Sequence, residues 1–355
     1  MSAAYYSYSF STRCRSDPLN AAAAQYGQCS AHHCSWPYRL QQPSTSRSDR
    51  RAAQRSTSCR SDRQAAAAVN TKMRRSARWA LGILGELLSN AKPGRRYAGP
   101  PLTTNGGRAL VTGGTGGIGE EVCRGLAARG YDVYVGARDA SKGEAVAARL
   151  REEFPGAHKC VVCDLNRGDA TLPRGVDLLV NNAGVMGAAT DETMRVNLVA
   201  PARLTLGLRA RNRKLRVVNV ASSSHLRARA CHVARMLDDR RRDKSLSAYA
   251  ASKLGLLQFT AALRNNGVDA RACHPGLVWT PMLKGFFPAP VRALLPRRLF
   301  KTPAEGAATV LLACVDDAAG TYYMDDQDRP TAASPECSAT GALVDELGAL
   351  GLNIR

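Results

Sequence analysis

The chain has 355 residues, of which 45% are hydrophobic and 22% charged, so it can form one large domain with a sizeable core plus extensions. Its formal net charge is +21, yet residues 1–100 carry 16 of the 50 Lys/Arg residues and only 4 of the 29 Asp/Glu residues. The basic excess is therefore concentrated at the N-terminal end, and nucleic acid, whose binding would rest on this charge alone, is not predicted as a partner. Apolar runs of 18 or more residues are absent, which predicts no transmembrane helix.

Residues 1–75 are rich in Ser, Ala, Arg and Gln and show no hydrophobic periodicity. Such a segment cannot bury enough apolar area to offset the entropy of the chain. The composition is typical of an organelle transit peptide. A disordered nucleic-acid-binding arm and an artefact of gene prediction are the alternatives. Richness in Ser and Ala favours a plastid over a mitochondrion or the cytoplasm.

Residues 76–107 contain an apolar stretch, 79–88, and a Pro/Gly-rich linker, 93–107. The apolar stretch is too short to cross a bilayer and is interrupted by Glu86. It predicts a helix that leads into the following domain, with a surface-lying amphipathic helix as the alternative.

From residue 108 onward, short apolar runs alternate with helical patterns. Strands are predicted at 108–112, 132–136, 158–163, 176–180, 215–221 and 268–274, and helices at 118–129, 141–154, 191–209 and 247–266. This alternation predicts a parallel sheet with helices on both faces, the doubly wound α/β (Rossmann) fold. We assign residues 108–330 to one such domain and 331–355 to a C-terminal tail with a short helix.

The first predicted strand runs into a glycine-rich loop, 112–119, and a helix follows. Glycines let the backbone approach a pyrophosphate, and the helix N-terminus presents free N–H groups to it. The strand-loop-helix context therefore predicts a dinucleotide site formed by Gly113, Thr115, Gly117, Ile118 and Gly119.

The second predicted strand ends beside Arg138, with Lys142 four residues further on. An acidic residue at this point favours a free ribose 2′-hydroxyl, whereas an arginine favours a 2′-phosphate. Asp139 argues the other way, and a solvated charge pair is the alternative interpretation. The pattern favours NADP(H) over NAD(H).

Tyr249 and Lys253 are four residues apart in an apolar helical pattern and share one helix face. A free tyrosine titrates near 10, which is too high for efficient acid/base work at neutral pH. A neighbouring ammonium stabilises phenolate, so the sequence predicts that Lys253 lowers the pKa of Tyr249.

Further motifs follow in order: Asn181-Asn182-Ala183-Gly184, Val196-Asn197 and Val220-Ala221-Ser222. Together with the glycine-rich loop and the Tyr/Lys pair, they resemble the short-chain dehydrogenase/reductase family over about two thirds of the chain. The resemblance implies an NAD(P)-dependent oxidoreductase acting on alcohol or carbonyl groups. Its implied catalytic set is Asn197, Ser222, Tyr249 and Lys253.

The resemblance also implies cofactor contacts beyond the glycine-rich loop. Asp164 contacts adenine, Asn181 holds the central strands near the cofactor, and Asn197 anchors a water that links Lys253 to solvent. The remaining implied contacts are made by Leu165, Ala183, Gly184, Tyr249, Lys253, Pro275, Gly276, Val278 and Thr280.

Three smaller segments, at 222–225, 273–276 and 301–306, are similar to those of the retinol-dehydrogenase-like and carbonyl-reductase-like branch. That branch implies a small lipophilic carbonyl or alcohol as substrate. His225 and His274 are interpreted as loop-shaping rather than catalytic. The apolar and basic segment 282–300 stands where the family has a substrate lid, with a homodimer or membrane-surface contact as alternatives.

The stretches 164–181 and 184–197 are short for the family, and Ala221 replaces a frequent serine. The insert 226–244 holds seven Lys/Arg and three Asp and is either a solvated loop or a basic rim that attracts an acidic substrate or partner. The rival to an enzyme is therefore an NADPH-binding, redox-sensing interaction subunit at an organelle membrane. The 11 cysteines predict reduced, packed thiols, and the isolated pair Cys160/Cys163 lacks the further ligands that a zinc site needs.

Overall fold

The computed structural model describes residues 81, 83–88, 106–170, 172–238, 246–286, 294, 296–316, 320–324, 327–328 and 340–354. The predicted N-terminal extension, most of the linker, the second part of the basic insert and much of the lid segment lie outside these residues. The described residues contain nine strands: β1 (Gly107–Thr112), β2 (Tyr131–Ala137), β3 (Lys159–Asp164), β4 (Asp169–Ala170), β5 (Leu178–Asn181), β6 (Arg216–Val220), β7 (Ala270–His274), β8 (Tyr322–Met324) and β9 (Gln327–Asp328).

The nine strands form one sheet in the order β4-β3-β2-β1-β5-β6-β7-β8-β9. The seven strands from β3 to β8 pair in parallel, and the two-residue strands β4 and β9 pair antiparallel at the edges. Chain order reverses between β1 and β5, so a crevice opens at their carboxyl ends. Doubly wound folds bind their ligands at this point.

Helices connect the strands and cover both faces of the sheet. In chain order they are α1 (Gly117–Ala127), α2 (Ala140–Glu153), α3 (Thr190–Met194), α4 (Ala200–Arg209), α5 (Ala230–Asp238), α6 (Leu246–Asn265), α7 (Pro281–Phe286), α8 (Pro303–Val315) and α9 (Gly341–Ala349). Residues 83–88 are also helical. The predicted strands and helices are all present, with ends that differ by up to two residues, which confirms the predicted fold class.

The core lies on both sides of the sheet because successive side chains of a strand point to opposite faces. Leu110 of β1 packs into one buried cluster, together with residues of α4 and α6. Its neighbours Ala109 and Val111 pack into the other, with residues of α1, α2 and α8. Both faces of the central strands are therefore covered, as parallel sheets require.

The predicted helix 191–209 is divided into α3, a π-helical turn (Arg195–Val199) and α4. In such a turn the backbone hydrogen bonds widen by one residue, and this feature is frequent at functional sites. Asn197 lies at its centre. The helical periodicity of the sequence does not reveal this local widening.

One connection departs from what the sequence suggests. The insert 226–244, interpreted as a loop, is helical in its first part because Val233 is buried and Met236 and Leu237 pack on the same core cluster. The C-terminal helix α9 also packs into that cluster through Leu343 and Leu347. Within the described part of 165–177, the chain forms β4 and turns but no helix, in keeping with the shortness of this stretch.

Where the chain is described, none of its helices has both the length and the apolar character that crossing a bilayer requires.

Candidate active site

The glycine-rich loop joins β1 to α1 beside the crevice. Gly113 and Gly117 have φ angles of 66° and 56°, a conformation that side chains other than glycine rarely adopt. A Cβ at Gly119 would overlap the carbonyl oxygen of Gly113, so α1 approaches the loop as closely as glycine allows. The backbone geometry therefore requires all three glycines that the sequence singles out.

The same loop has the features that could hold the pyrophosphate of a dinucleotide. Gly116 lines the cavity, and a Cβ placed on it would meet nothing within 4 Å. Helix α1 begins at Gly117, and no side chain of the described residues caps its first N–H groups. Uncapped N–H groups at the positive end of a helix dipole bind phosphate oxygens. Any side chain at position 116 would project into the space that a bound phosphate group needs.

Asn182 holds this loop in place, a role that the sequence analysis missed. Its side-chain amide donates to the carbonyl oxygens of Thr112 (2.9 Å) and Gly113 (3.3 Å). The hydroxyl of Thr112 in turn accepts from the backbone N–H groups of Asn182 (3.0 Å) and Ala183 (3.1 Å). These bonds fasten the end of β1 to the end of β5. An amide directly after a buried strand was the available signal.

Asn181 lies inside the sheet rather than on the cavity wall. Its side-chain amide donates to Asn219 on β6 (2.8 Å) and to Thr205 on α4 (3.1 Å), and Asn219 donates to Thr260 on α6 (2.8 Å). This buried chain of polar groups joins two strands and two helices at the site. Asn181 is therefore placed to position the strands that carry the cavity residues.

At the predicted adenosine end, Arg138 is exposed immediately after β2. The backbone N–H of Gly114 donates to the carbonyl of Gly136 at 3.1 Å, so the glycine-rich loop and the end of β2 are joined. Asp139 caps α2 by accepting from the backbone N–H of Lys142 at 3.2 Å. Asp164 ends β3 and accepts from the backbone N–H of Asn166 at 3.0 Å.

The segment after β7 crosses in front of the glycine-rich loop. Gly276 has a φ angle of 85°, and a Cβ there would lie 3.1 Å from the side chain of Lys301. Val278 pairs with Lys301 through an isolated bridge, and Thr280 lies 3.3 Å from where a Cβ of Gly117 would stand. The structure thus brings the predicted nicotinamide segment and the predicted phosphate loop together.

Ser222, Tyr249 and Lys253 face the same cavity. Ser222 follows β6 in an extended conformation, and its hydroxyl accepts from the backbone N–H of Ser224 at 3.2 Å. Tyr249 and Lys253 lie one turn apart on α6. Tyr249 shares a side-chain hydrogen bond with Ser222. The Lys253 Nζ lies 5.7 Å from the centre of the Tyr249 ring and donates to the carbonyl of Val220 at 2.8 Å.

The predicted lowering of the tyrosine pKa by the lysine is wrong for this structure. Burial raises the pKa of Tyr249, and the hydrogen bond with Ser222 only partly opposes this shift. Burial also lowers the pKa of Lys253 to about 8, since the charged ammonium loses water as it is enclosed. The Nζ of Lys253 donates to the carbonyl of Val220, and its charge does not offset the effect of burial on the pKa of Tyr249.

Asn197 lies behind the Tyr249/Lys253 pair. Its side chain accepts from the backbone N–H of Val185 (2.8 Å) and donates to the Val185 carbonyl (2.9 Å) and to Ser252 (3.1 Å). A Cβ on Gly184 would lie 3.2 Å from the Asn197 oxygen and 3.6 Å from the Lys253 Nζ. The π-helical turn therefore places Asn197 close to the lysine, separated from it by a glycine.

His225 does not have the properties of a general acid at neutral pH. His225 is buried, burial lowers its pKa to about 4, and its Nδ1 lies 2.6 Å from the carbonyl of Ser222. A carbonyl only accepts, so Nδ1 carries the proton. The Nε2 of His274 lies 3.3 Å from the carboxylate of Glu86. Both contacts agree with the predicted role in shaping loops.

The thiols of the predicted CxxC pair are free. Burial raises the pKa of Cys163 to about 11, so its thiol stays protonated at neutral pH. In the described ranges, no group of three or more His, Cys, Asp or Glu side chains is placed to hold a metal ion.

One cavity of about 800 Å³ unites these elements. The predicted site residues that line it are Gly113, Thr115, Gly117, Ile118, Gly119, Ala183, Gly184, Ser222, Tyr249, Lys253, Pro275, Gly276, Val278 and Thr280. Arg138, Lys142, Asp164, Leu165, Asn181 and Asn197 stand outside its wall. Leu283 and Phe300, from the segment predicted as a substrate lid, also line the cavity. Sequence reasoning did not assign a role in the site to several further apolar residues of the lining, namely Ile83, Leu87, Met186, Leu246 and Leu277.

Comparison with known proteins agrees with this geometry. The family model of short chain dehydrogenases matches residues 108–234. Mouse retinol dehydrogenase 12 is 32% identical in an alignment of 262 positions that covers 64% of this chain and 82% of that protein. Mouse polyprenol dehydrogenase is 31% identical in an alignment of 267 positions that covers 64% of this chain and 79% of that protein. The chain belongs to the short-chain dehydrogenase/reductase family, and its relatives confirm the predicted retinol-dehydrogenase-like branch.

Solved structures show the same fold. A crystal structure from Beutenbergia cavernae, described as an NAD(P)-dependent gluconate 5-dehydrogenase with NADP bound at low occupancy, superposes with a TM-score of 0.53 at 26% identity. The superposition covers 64% of this chain and 98% of that chain. The part of this chain that matches known proteins is therefore a complete Rossmann domain of the family.

Proposed function

We propose that this short-chain dehydrogenase/reductase transfers a hydride between NADP(H) and the carbonyl or alcohol group of a lipophilic substrate, working as a carbonyl reductase. The observation that carries the proposal is the convergence of Ser222, Tyr249 and Lys253 with the glycine-rich loop on one cavity. A phenol, a hydroxyl and an ammonium in one pocket beside a dinucleotide site are the groups that carbonyl reduction needs.

The side chains have separate tasks in this proposal. Bound NADPH supplies the hydride that reaches the carbonyl carbon. The Tyr249 hydroxyl donates its proton to the carbonyl oxygen, and the Ser222 hydroxyl donates a hydrogen bond to the same oxygen as negative charge develops. The Lys253 ammonium stabilises the phenolate that Tyr249 becomes. Asn197 is a positioning residue, because it fixes the loop at Val185 and the helix at Ser252.

The residues that line the cavity support the proposal that the substrate is lipophilic. Leu246, Leu277, Leu283 and Phe300 line it, and these side chains offer no polar atom to a ligand. Trp279 packs against Phe300 with ring centres 4.8 Å apart, which backs this wall with a second aromatic ring. Two relatives are named for retinol and polyprenol, both lipophilic alcohols.

Two observations support NADP(H) as the cofactor. Arg138 is exposed two residues beyond Gly136, whose carbonyl is bonded to the glycine-rich loop. Asp139, the acidic residue that could favour a free ribose hydroxyl, is engaged as the N-cap of α2. A guanidinium pairs with a phosphate group through parallel hydrogen bonds. The adenosine ribose of NADH has no 2′-phosphate to accept them. The relative from Beutenbergia cavernae binds NADP.

Substitution of Tyr249 by Phe tests the catalytic assignment. We expect Tyr249→Phe to lower kcat for reduction of a lipophilic aldehyde by a factor of roughly 10² or more, because the proton donor is lost. NADPH affinity, followed by fluorescence titration, should stay within about twofold of the wild-type value, because the phenyl ring and the Lys253 side chain remain. Tyr134→Phe, on β2 and away from the cavity, is the matched control. Near-normal turnover by Tyr249→Phe would rule out this mechanism.

The cofactor assignment is tested in the same titrations. Arg138→Gln should weaken NADPH binding by about tenfold or more and leave NADH binding unchanged, since only the 2′-phosphate is affected. Arg149→Gln serves as the control, because Arg149 is an exposed α2 arginine paired with Glu120 at 2.5 Å. Tight NADPH binding by the wild-type protein without turnover of any aldehyde or ketone would instead favour the redox-sensing subunit.

A further inference from the structure

Residues 83–88 form a helical segment that precedes the dehydrogenase domain in sequence but contributes to its cavity. The family model begins at residue 108, so this segment lies outside the matched region. Ile83 and Leu87 nevertheless line the same cavity as Ser222 and Tyr249. These two side chains are four residues apart and so share one face of the helix.

A second face of this segment, one residue further round the helix, points outward. Leu84 and Leu88 are also four residues apart, and they are 50% and 59% exposed. The helix therefore has two apolar pairs of similar size in different environments. The inward pair borders the cavity, while the outward pair contributes little to its wall.

A polar contact attaches the segment to the end of β7. The carboxylate oxygens of Glu86 lie 3.3 and 3.4 Å from the Nε2 of His274. The side chain of Glu86 is 13% exposed and that of His274 only 3%. His274 directly precedes Pro275-Gly276, which also line the cavity. The contact thus joins the N-terminal segment to the strand end that carries the predicted nicotinamide loop.

We infer that residues 83–88 form a wall of the substrate pocket, in which Ile83 and Leu87 determine specificity for the apolar chain of the substrate. Glu86 acts as a positioning residue through His274. The inference rests on the proposed function, and it identifies the part of the chain that binds the lipophilic portion of the substrate. Aliphatic side chains lack polar atoms, so they can recognise a ligand only by burying its apolar surface.

The test compares the inward and outward pairs in the full chain. NADPH-dependent reduction is measured with linear saturated aldehydes from propanal to decanal. Ile83→Ser and Leu87→Ser should each lower kcat/KM for decanal by about tenfold, because each removes one buried apolar contact, and should change propanal by less than about twofold. Leu84→Ser and Leu88→Ser should change neither value. Equal effects of both pairs, or equal effects on propanal and decanal, would overturn the inference.

The positioning role of Glu86 has a separate readout. Glu86→Ala should raise KM for decanal by several-fold at unchanged kcat, because the wall is displaced while Ser222, Tyr249 and Lys253 remain in place. Glu86→Gln keeps an acceptor for a neutral Nε2–H and should restore most of the wild-type KM. A fall in kcat with unchanged KM would contradict a role through the pocket wall.

A binding measurement separates this inference from the proposed activity. The uncharged fluorophore N-phenyl-1-naphthylamine is titrated into each variant saturated with NADP⁺. If only Ile83→Ser and Leu87→Ser bind the probe more weakly, the result supports the inference that residues 83–88 form a wall of the pocket. This holds even where no aldehyde is reduced and the reductase proposal fails. Equal binding of the probe by all variants, or no binding by the wild-type protein, overturns the inference that residues 83–88 form a wall of the pocket, even where aldehydes are reduced.

Discussion

Lys253 is one of the few charged side chains enclosed by this fold, with 4% of its surface exposed. Its Nζ donates to the carbonyl of Val220 at the end of β6, so a neighbouring strand, not the tyrosine, sets its position. Burial lowers the pKa of Lys253 to about 8 and raises that of Tyr249. Burial thus shifts the pKa values of Lys253 and Tyr249 in opposite directions, because it disfavours the charged form of each group.

The activity should therefore depend on pH through Lys253. In the proposed mechanism, reduction needs Tyr249 with its proton and Lys253 as a cation, and both lose protons as pH rises. Since the pKa of Lys253 is about 8 and that of Tyr249 is raised, the lysine titrates first. We expect kcat/KM for aldehyde reduction to be level below pH 8 and to fall by about tenfold per pH unit above it.

The measurement is a kcat/KM profile from about pH 6 to 10, with NADPH affinity determined at each pH as the control. The affinity values separate loss of cofactor binding from loss of proton transfer. A profile that stays level to pH 10 would show that Lys253 is not needed as a cation or that its pKa is not lowered.

At the scale of elements, the phosphate loop depends on a neighbouring strand end as much as on its own glycines. Asn182 follows β5 and donates to the carbonyl oxygens of Thr112 and Gly113. These bonds fix the loop at the switch point between β1 and β5. Without Asn182, the two carbonyl groups would need other hydrogen-bond partners. The loop is thus pre-organised before a cofactor arrives, which lowers the entropy that binding costs.

Removal of the Asn182 amide should weaken cofactor binding. Each of its two hydrogen bonds contributes about 1 kcal/mol, so Asn182→Ala should raise the Kd for NADPH by roughly tenfold and also lower the Tm. NADPH titration and thermal unfolding of the same samples measure both effects.

Thr302→Ala provides a control that affects stability alone. Thr302 and Glu305 form a capping box at the start of α8, with Thr302 accepting from the Glu305 N–H at 3.2 Å. Loss of this cap should cost about 1 kcal/mol of stability and leave the Kd for NADPH unchanged. An Asn182→Ala protein with wild-type affinity would show that the loop is held by its glycines alone.

At the scale of the whole molecule, the two ends of the chain differ in what they contribute. Leu343, Leu347, Leu352 and Ile354 are buried in the same core cluster as α4 and α6. The C-terminal helix is therefore part of the domain. The composition of residues 1–75 predicts a transit peptide, and this prediction stands untested, because these residues lie outside the described structure.

Truncations should reveal this difference. A chain that ends at residue 339 loses four buried side chains worth about 2 kcal/mol each, comparable with the stability of a typical domain, about 5–15 kcal/mol. It should be largely unfolded by circular dichroism at 25 °C. A chain that starts at residue 76 should keep the wild-type Tm and NADPH affinity. Cooperative unfolding of the C-terminal truncation near the wild-type Tm would contradict the packing of α9.

Most of the fold could be predicted from the sequence. The alternation of apolar runs and helical patterns located the main strands and helices to within two residues, because hydrophobic period and glycine placement are local properties. The short strands β4, β8 and β9 and the helices α5, α7 and α8 were not predicted as elements. The strands and the helices α5 and α7 are short, so their form depends on what they pack against. Helix α8 has 13 residues and begins with the capping box of Thr302 and Glu305, a local signal from which it could have been predicted.

The amino-acid sequence by itself determined the family, the glycine-rich loop and the identities of Ser222, Tyr249 and Lys253, because residue type and spacing carry that chemistry. Tertiary structure alone decided the direction of the pKa shifts, the tether through Asn182 and the π-helical setting of Asn197. It also brought Glu86 to His274 across 188 residues of sequence, and with it Ile83 and Leu87 to the cavity. Burial and long-range contacts arise only when distant segments pack together, and no local pattern encodes them.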